Sequence, residues 1–185
     1  IHDNGAKTFA QINHAGSAAP MEVTGLAPVA PSPIVLPVEP VIGDGVMPQE
    51  LEKNEIREIV LKFVDAACRA KEAGFEGIEI IASAGYLLTQ FLSPLKNKRS
   101  DQYGGSLENR VRFPRELIEK VRKIIGPDMP LSVRMAGNDF VAGSNTDIET
   151  PQIARVYEAA GVDVINVTGG WHETMIPQIT MDVPR

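Results

Sequence analysis

The chain has 185 residues, of which 43% are hydrophobic and 23% charged, with a formal charge of −6 and a pI near 5.1. That acidic balance argues against a nucleic-acid partner. No apolar run approaches the roughly 18 residues of a membrane span, and no basic-then-apolar start reads as a signal peptide. The single cysteine, Cys68, has no internal disulfide partner and fits a reducing, cytoplasmic setting.

In chain order, Lys7 to Asn13 reads as a short buried strand closed by His14-Ala15-Gly16. Residues 17–50 hold seven of the 14 prolines and read as a long, ordered surface excursion. Ile56, Ile59, Val60, Phe63, Val64 and Ala67 then recur at helical spacing, with Gly74 as the stop. Gly77 to Ile81 reads as a strand. Ser106 can cap a second helix with Val111, Leu117, Ile118, Val121 and Ile125 inward, ended by Pro127 to Pro130. Leu131 to Met135 is the next strand. Thr150 and Pro151 suit the N-cap and first position of a third helix, and Asp163 to Thr168 is the last strand.

Strands alternating with helices imply a parallel sheet with right-handed crossovers. A doubly wound sheet and a (β/α)8 barrel both satisfy the pattern. The lack of a GxGxxG turn after the first strand lowers the dinucleotide-type reading. The polar residues at strand ends (His14, Ser83, Arg134 and Thr168 to His172) favour a barrel, whose site is built from loops after the strands. A whole barrel needs about 250 residues and eight strands, so about four units are expected here.

Between the second strand and the second helix runs a stretch of specified chemistry: Gln90-Phe91-Leu92-Ser93-Pro94, Asn97-Lys98-Arg99-Ser100-Asp101 and Tyr103-Gly104-Gly105-Ser106-Leu107-Glu108-Asn109-Arg110. Loops are usually permissive, so this density suggests an active-site rim. The stretch resembles the old yellow enzyme family of NADH:flavin oxidoreductases, in the branch similar to 2,4-dienoyl-CoA reductase. Gln11-Ile12-Asn13-His14-Ala15-Gly16 is similar to a segment of the same family, and Trp171-His172-Glu173 with Ile176-Pro177 resembles that branch specifically. The resemblance implies a partial FMN-binding TIM-barrel domain over residues 1–185, an α/β chain carrying strands three to six.

The resemblance also implies roles. Gln11 would meet the flavin pyrimidine edge, whose donors and acceptors an amide can match. Arg134 would face the negative charge of reduced flavin; without an anionic partner a guanidinium in an apolar strand is expensive, and the bland alternative is a pairing with Glu79. His14 would pack under the cofactor or hold its loop. Tyr86 would donate a proton beside the substrate carbonyl, with His172 as its partner. Ile81 and Ala84 stand where many members carry two polar donors for an enone oxygen, so that clamp is missing. Arg99, Asp101, Tyr103, Asn109 and Arg110 read mainly as scaffold that satisfies itself.

The implied activity is transfer of hydride from FMN, reduced by NAD(P)H, to a conjugated C=C, or the reverse desaturation. The substrate would be an enone or enoyl compound, a CoA thioester among them. Amine dehydrogenation and a catalytically incomplete fragment are the alternatives, and exposed strand edges would favour a homo-oligomer. No metal-ligand spacing is present. A [4Fe–4S] cluster and an FAD domain would belong to parent regions outside the chain.

Overall fold

The computed structural model describes residues 1–35 and 45–171. Its elements run β1 (Phe9–Ile12), α1 (Met21–Thr24), β2 (Val29–Ala30), β3 (Gln49–Glu50), α2 (Lys53–Glu72), β4 (Gly77–Ala82), α3 (Leu87–Leu92), α4 (Leu107–Arg110), α5 (Arg112–Ile125), β5 (Leu131–Ala136), α6 (Thr150–Ala159) and β6 (Val164–Thr168). The main sheet has the order β1-β4-β5-β6, every pair parallel. Sequential order in a parallel sheet means each crossover returns to the next strand, which is barrel connectivity.

Alternation along the strands separates two faces. Ile78, Ile80 and Ala82 of β4 and Leu131, Val133 and Met135 of β5 turn to the helices and join one core with Ile56, Phe63, Ala67, Leu117, Ile118 and Val121. Each large apolar side chain fully withdrawn there contributes about 1.5–3 kcal/mol. The other face carries Gln11, Glu79, Ser132 and Asn166 above Phe9, whose ring lies against Gly77. A Cβ at Gly77 would stand 2.3 Å from that ring, so the close approach requires glycine.

The helix predicted from the 56–67 spacing is α2. Its first turn is secured by the Glu55 carboxylate, which accepts from the Glu52 amide at 2.7 Å, and Gly74 at φ +87° ends it. Ser106 does cap a helix, its Oγ accepting from the Asn109 amide at 3.3 Å. The expected single helix, however, is split into α4 and α5 at Val111. Pro114 has no N–H to give the Arg110 carbonyl, and its ring crowds that oxygen. The third helix is also displaced. Thr150 lies within it, its hydroxyl donating back to the Thr146 carbonyl at 2.8 Å, and Glu149 holds the N-cap position.

Two features were not expected. The 17–50 excursion contains α1 and a parallel pair, β2 with β3. The 90–110 stretch begins inside a helix, α3, all six residues of which are buried. Neither follows from periodicity, because two-residue strands and a six-residue helix buried on every side carry no periodic signal.

Candidate active site

Parallel strands of one register set the open face in layers about 6.6 Å apart, two residues of rise. Gln11, Glu79, Ser132 and Val164 are paired across one layer. Ile81, Arg134 and Asn166 are paired across the next, toward the carboxyl ends of the strands. Gln11 and Arg134 are therefore brought onto one face, a layer apart.

Glu79 is the hub of that face, and the sequence reading missed it except as a partner for Arg134. Its carboxylate accepts from Gln11 Nε2 at 2.7 Å, Ser132 Oγ at 2.8 Å and Asn166 Nδ2 at 3.0 Å, one donor from each of the other three strands. Burial raises its pKa, but the bonds from Asn166, Gln11 and Ser132 and the charge of Arg134 outweigh burial and hold it below the ordinary value. The legible signal was a lone carboxylate in Gly77-Ile78-Glu79-Ile80-Ile81; its partners lie 53 to 87 residues away and were not.

Arg134 makes no direct hydrogen bond or ion pair with Glu79. Its charge reaches Glu79 through space, but among the described residues no hydrogen bond or ion pair is made to its half-buried guanidinium. A cation held on a sheet face without a bonded protein anion suits an anionic ligand.

His14 is placed elsewhere. It lines a hollow between the excursion and α2, with Leu26, Glu55, Ile59 and Lys62. Its Nδ1 accepts from the Gly16 amide at 3.0 Å. Burial and the nearby Lys62 charge push its pKa down, which favours the neutral ring with the proton on Nε2.

Tyr86 sits in the turn after β4. Ala84 and Gly85 both take left-handed conformations, φ +58° and +82°. They reverse the chain so that the Tyr86 amide meets the Ser83 carbonyl at 3.3 Å and Tyr86 becomes the N-cap of α3. The turn is tied to the loop after β1 by Gln90, the first residue of the polar stretch singled out in the sequence, where it had no assigned role. Gln90 is fully buried; its Oε1 accepts from the Ser17 amide at 3.1 Å, and its Nε2 donates to the Gly85 carbonyl at 2.7 Å and the Ala15 carbonyl at 3.3 Å. The Leu87 amide adds a bond to the His14 carbonyl at 3.0 Å. Tyr86 and His14 thus come from two loops fixed to each other. Trp171 is buried at the end of the loop after β6, and His172 lies outside the described residues.

The 97–110 stretch is scaffold, though not wired as expected. Arg99 grips Asp101 with two bonds, Nε to Oδ1 at 3.0 Å and Nη2 to Oδ2 at 2.7 Å. Arg110 finds no partner in that pair or in Asn109. It donates to the Leu92 and Gly105 carbonyls at 2.6 and 2.8 Å and pairs with Glu149 at 2.8 Å. Asn109 accepts from Arg112 instead. Asn97, buried, donates to the Phe91 and Tyr103 carbonyls, both at 2.7 Å.

The chain is similar in sequence and fold to known proteins. Residues 1–184 match the model of the NADH:flavin oxidoreductase / NADH oxidase family. The chain is 53% identical over 184 residues to a protein named metal reductase from Desulforamulus reducens, covering 100% of this chain and 27% of that protein. It is 49% identical to an NADH oxidase from Thermoanaerobacter brockii, covering 95% of this chain and 26% of the relative. Among solved structures, 2-naphthoyl-CoA reductase with 2-naphthoyl-CoA superposes with a TM-score of 0.87 at 35% identity, over 94% of this chain and 28% of that one. The chain thus spans about a quarter of the length of these relatives. The parallel sheet is four consecutive units of a TIM barrel, and the chain belongs to the NADH:flavin oxidoreductase / NADH oxidase family, the family of the old yellow enzymes.

Proposed function

We propose that the complete protein containing this chain is an FMN-dependent NAD(P)H oxidoreductase that reduces a conjugated C=C. The observation that carries this reading is the Arg134 guanidinium, uncommitted among the described residues and one layer above Gln11 on the open face. The residues fit a flavin. Gln11 keeps its carbonyl oxygen and one N–H free of Glu79 to meet a heterocycle that both donates and accepts. Arg134 supplies the cation that a reduced, anionic ring needs.

When bound, FMN would supply the hydride, taken from NAD(P)H and passed to the β-carbon of an enone or enoyl compound. Every other task falls to the chain. Gln11 and Arg134 orient the ring. Tyr86, fixed by the turn at Ala84 and Gly85, delivers the proton to the α-carbon, and His172 restores it. The likeness to 2-naphthoyl-CoA reductase supports a CoA thioester as the substrate class. An iron–sulfur cluster and an FAD domain belong, in this proposal, to other parts of the complete protein.

The relatives named metal reductase and NADH oxidase suggest the test. Electron transfer to ferricyanide or O2 needs no carbon-bound proton, whereas C=C reduction does. Tyr86→Phe should slow flavin reoxidation by an enone about a hundredfold and leave reoxidation by ferricyanide within about twofold. Equal rates with the enone in both proteins would remove Tyr86 from the chemistry.

A further inference from the structure

We propose that Glu79 is a positioning residue that fixes which way round the Gln11 amide is presented to the ligand; this rests on the flavin reading above. The Glu79 carboxylate is acceptor-only when ionised, so it can hold only the nitrogen end of Gln11, at 2.7 Å. It holds Asn166 by the nitrogen end too, at 3.0 Å. An unrestrained amide can turn over at little cost; one bonded through Nε2 to a charged acceptor cannot without losing a charge-assisted bond.

The consequence is chemical. Gln11 presents its carbonyl oxygen to the open face as an acceptor, with its second N–H beside it. A ligand matched to that pair offers an N–H next to a carbonyl, which is the imide edge of an isoalloxazine. The charged group acting on Glu79 is Arg134 of β5. The residues that flank it from β1 and β6, namely Phe9, Gln11, Val164 and Asn166, do not ionise. Glu79 therefore stays acceptor-only through the neutral range, and the orientation does not switch.

The experiment compares binding of FMN and of N3-methyl-FMN, which has lost the imide N–H, to the apo form of the complete protein by quenching of flavin fluorescence. Wild type should prefer FMN by about tenfold, the loss of one oriented hydrogen bond. Glu79→Gln places at position 79 an amide that can donate as well as accept, so Gln11 is free to turn. FMN should then bind roughly tenfold more weakly, and the preference over the methylated ring should fall below about threefold. A role confined to folding would weaken both flavins alike and leave their ratio unchanged, which would overturn the proposal. So would a wild type that binds both equally, a measurement that does not depend on any variant folding. In a Gln11→Leu background, Glu79→Gln should have no further effect on FMN affinity; an undiminished effect would show that Glu79 does not act through Gln11. A wild type that binds neither flavin would instead reject the flavin reading itself.

Discussion

Two regions of this chain are dense in polar side chains, and they use them in opposite ways. In the stretch from Asn97 to Arg110 the groups are committed to the protein: Asn97 to two carbonyls, Arg99 to Asp101, Arg110 to two carbonyls and Glu149. On the open face of the sheet, three polar residues gather on one carboxylate, and among the described residues the Arg134 guanidinium makes no hydrogen bond or ion pair. The first region catches the eye in the sequence, yet it is the quieter chemically. Polar density marks where a backbone has to be held; an uncommitted charge marks where a ligand belongs.

Two arginines put that contrast to the sharpest test. Arg110→Leu should cost about 3 kcal/mol of stability, since it leaves the Leu92 and Gly105 carbonyls and Glu149 without their donor. Arg134→Leu should change stability by less than ~0.5 kcal/mol while weakening FMN binding about thirtyfold, or ~2 kcal/mol. Urea unfolding and flavin titration of the two variants separate the cases. Similar stability losses in both would erase the distinction between the regions.

A smaller effect sharpens it from the side of the backbone. Ala84 carries a side chain at φ +58°, where a Cβ costs about 1–2 kcal/mol. Ala84→Gly relieves that cost but loosens the unfolded chain, so the expected net gain is ~0.5 kcal/mol. A melting temperature that falls instead would mean that the Ala84 methyl group packs better than the turn suffers.

The mildest expected effect lies at the opposite end of the sheet from the site. Glu76 accepts from the Thr8 amide and hydroxyl at 2.8 and 2.9 Å and from His2 at 3.1 Å. The Thr8 backbone bond leads the causes that bring its pKa to about 2, against an ordinary value of 4.5. Because the folded value is the lower one, its contribution is complete above pH 4.5 and is lost as pH falls toward 2. Glu76→Gln should flatten the acid limb of the stability curve over that window. A limb of unchanged slope would place the acid sensitivity at other carboxylates.

How much of this was legible beforehand follows from the range of each interaction. The face of α2, its stop at Gly74 and the apolar cores of β4 and β5 are written in neighbouring residues, and reading them needs no partner. Arg134 stood out as a charge in an apolar strand, and Gln11 through the resemblance of the segment that it opens. Glu79 and Gln90 were named in the sequence but given no such role, because their meaning lies in partners brought close only by parallel pairing and by loop packing. The split at Val111 was legible in principle, from Pro114, but was hidden by an unbroken apolar spacing on both sides.

Arg99 has a further effect, outside catalysis. One of its nitrogens reaches the Pro31 carbonyl at 3.1 Å and the Leu51 carbonyl at 2.7 Å, gripping both arms of the excursion just where β2 and β3 pair. The two arms are thereby fixed to each other through a single side chain. Doubling a loop's length costs only about 0.6 kcal/mol in closure entropy. While that clasp holds, a change in the length of the chain between the arms carries only a small closure cost.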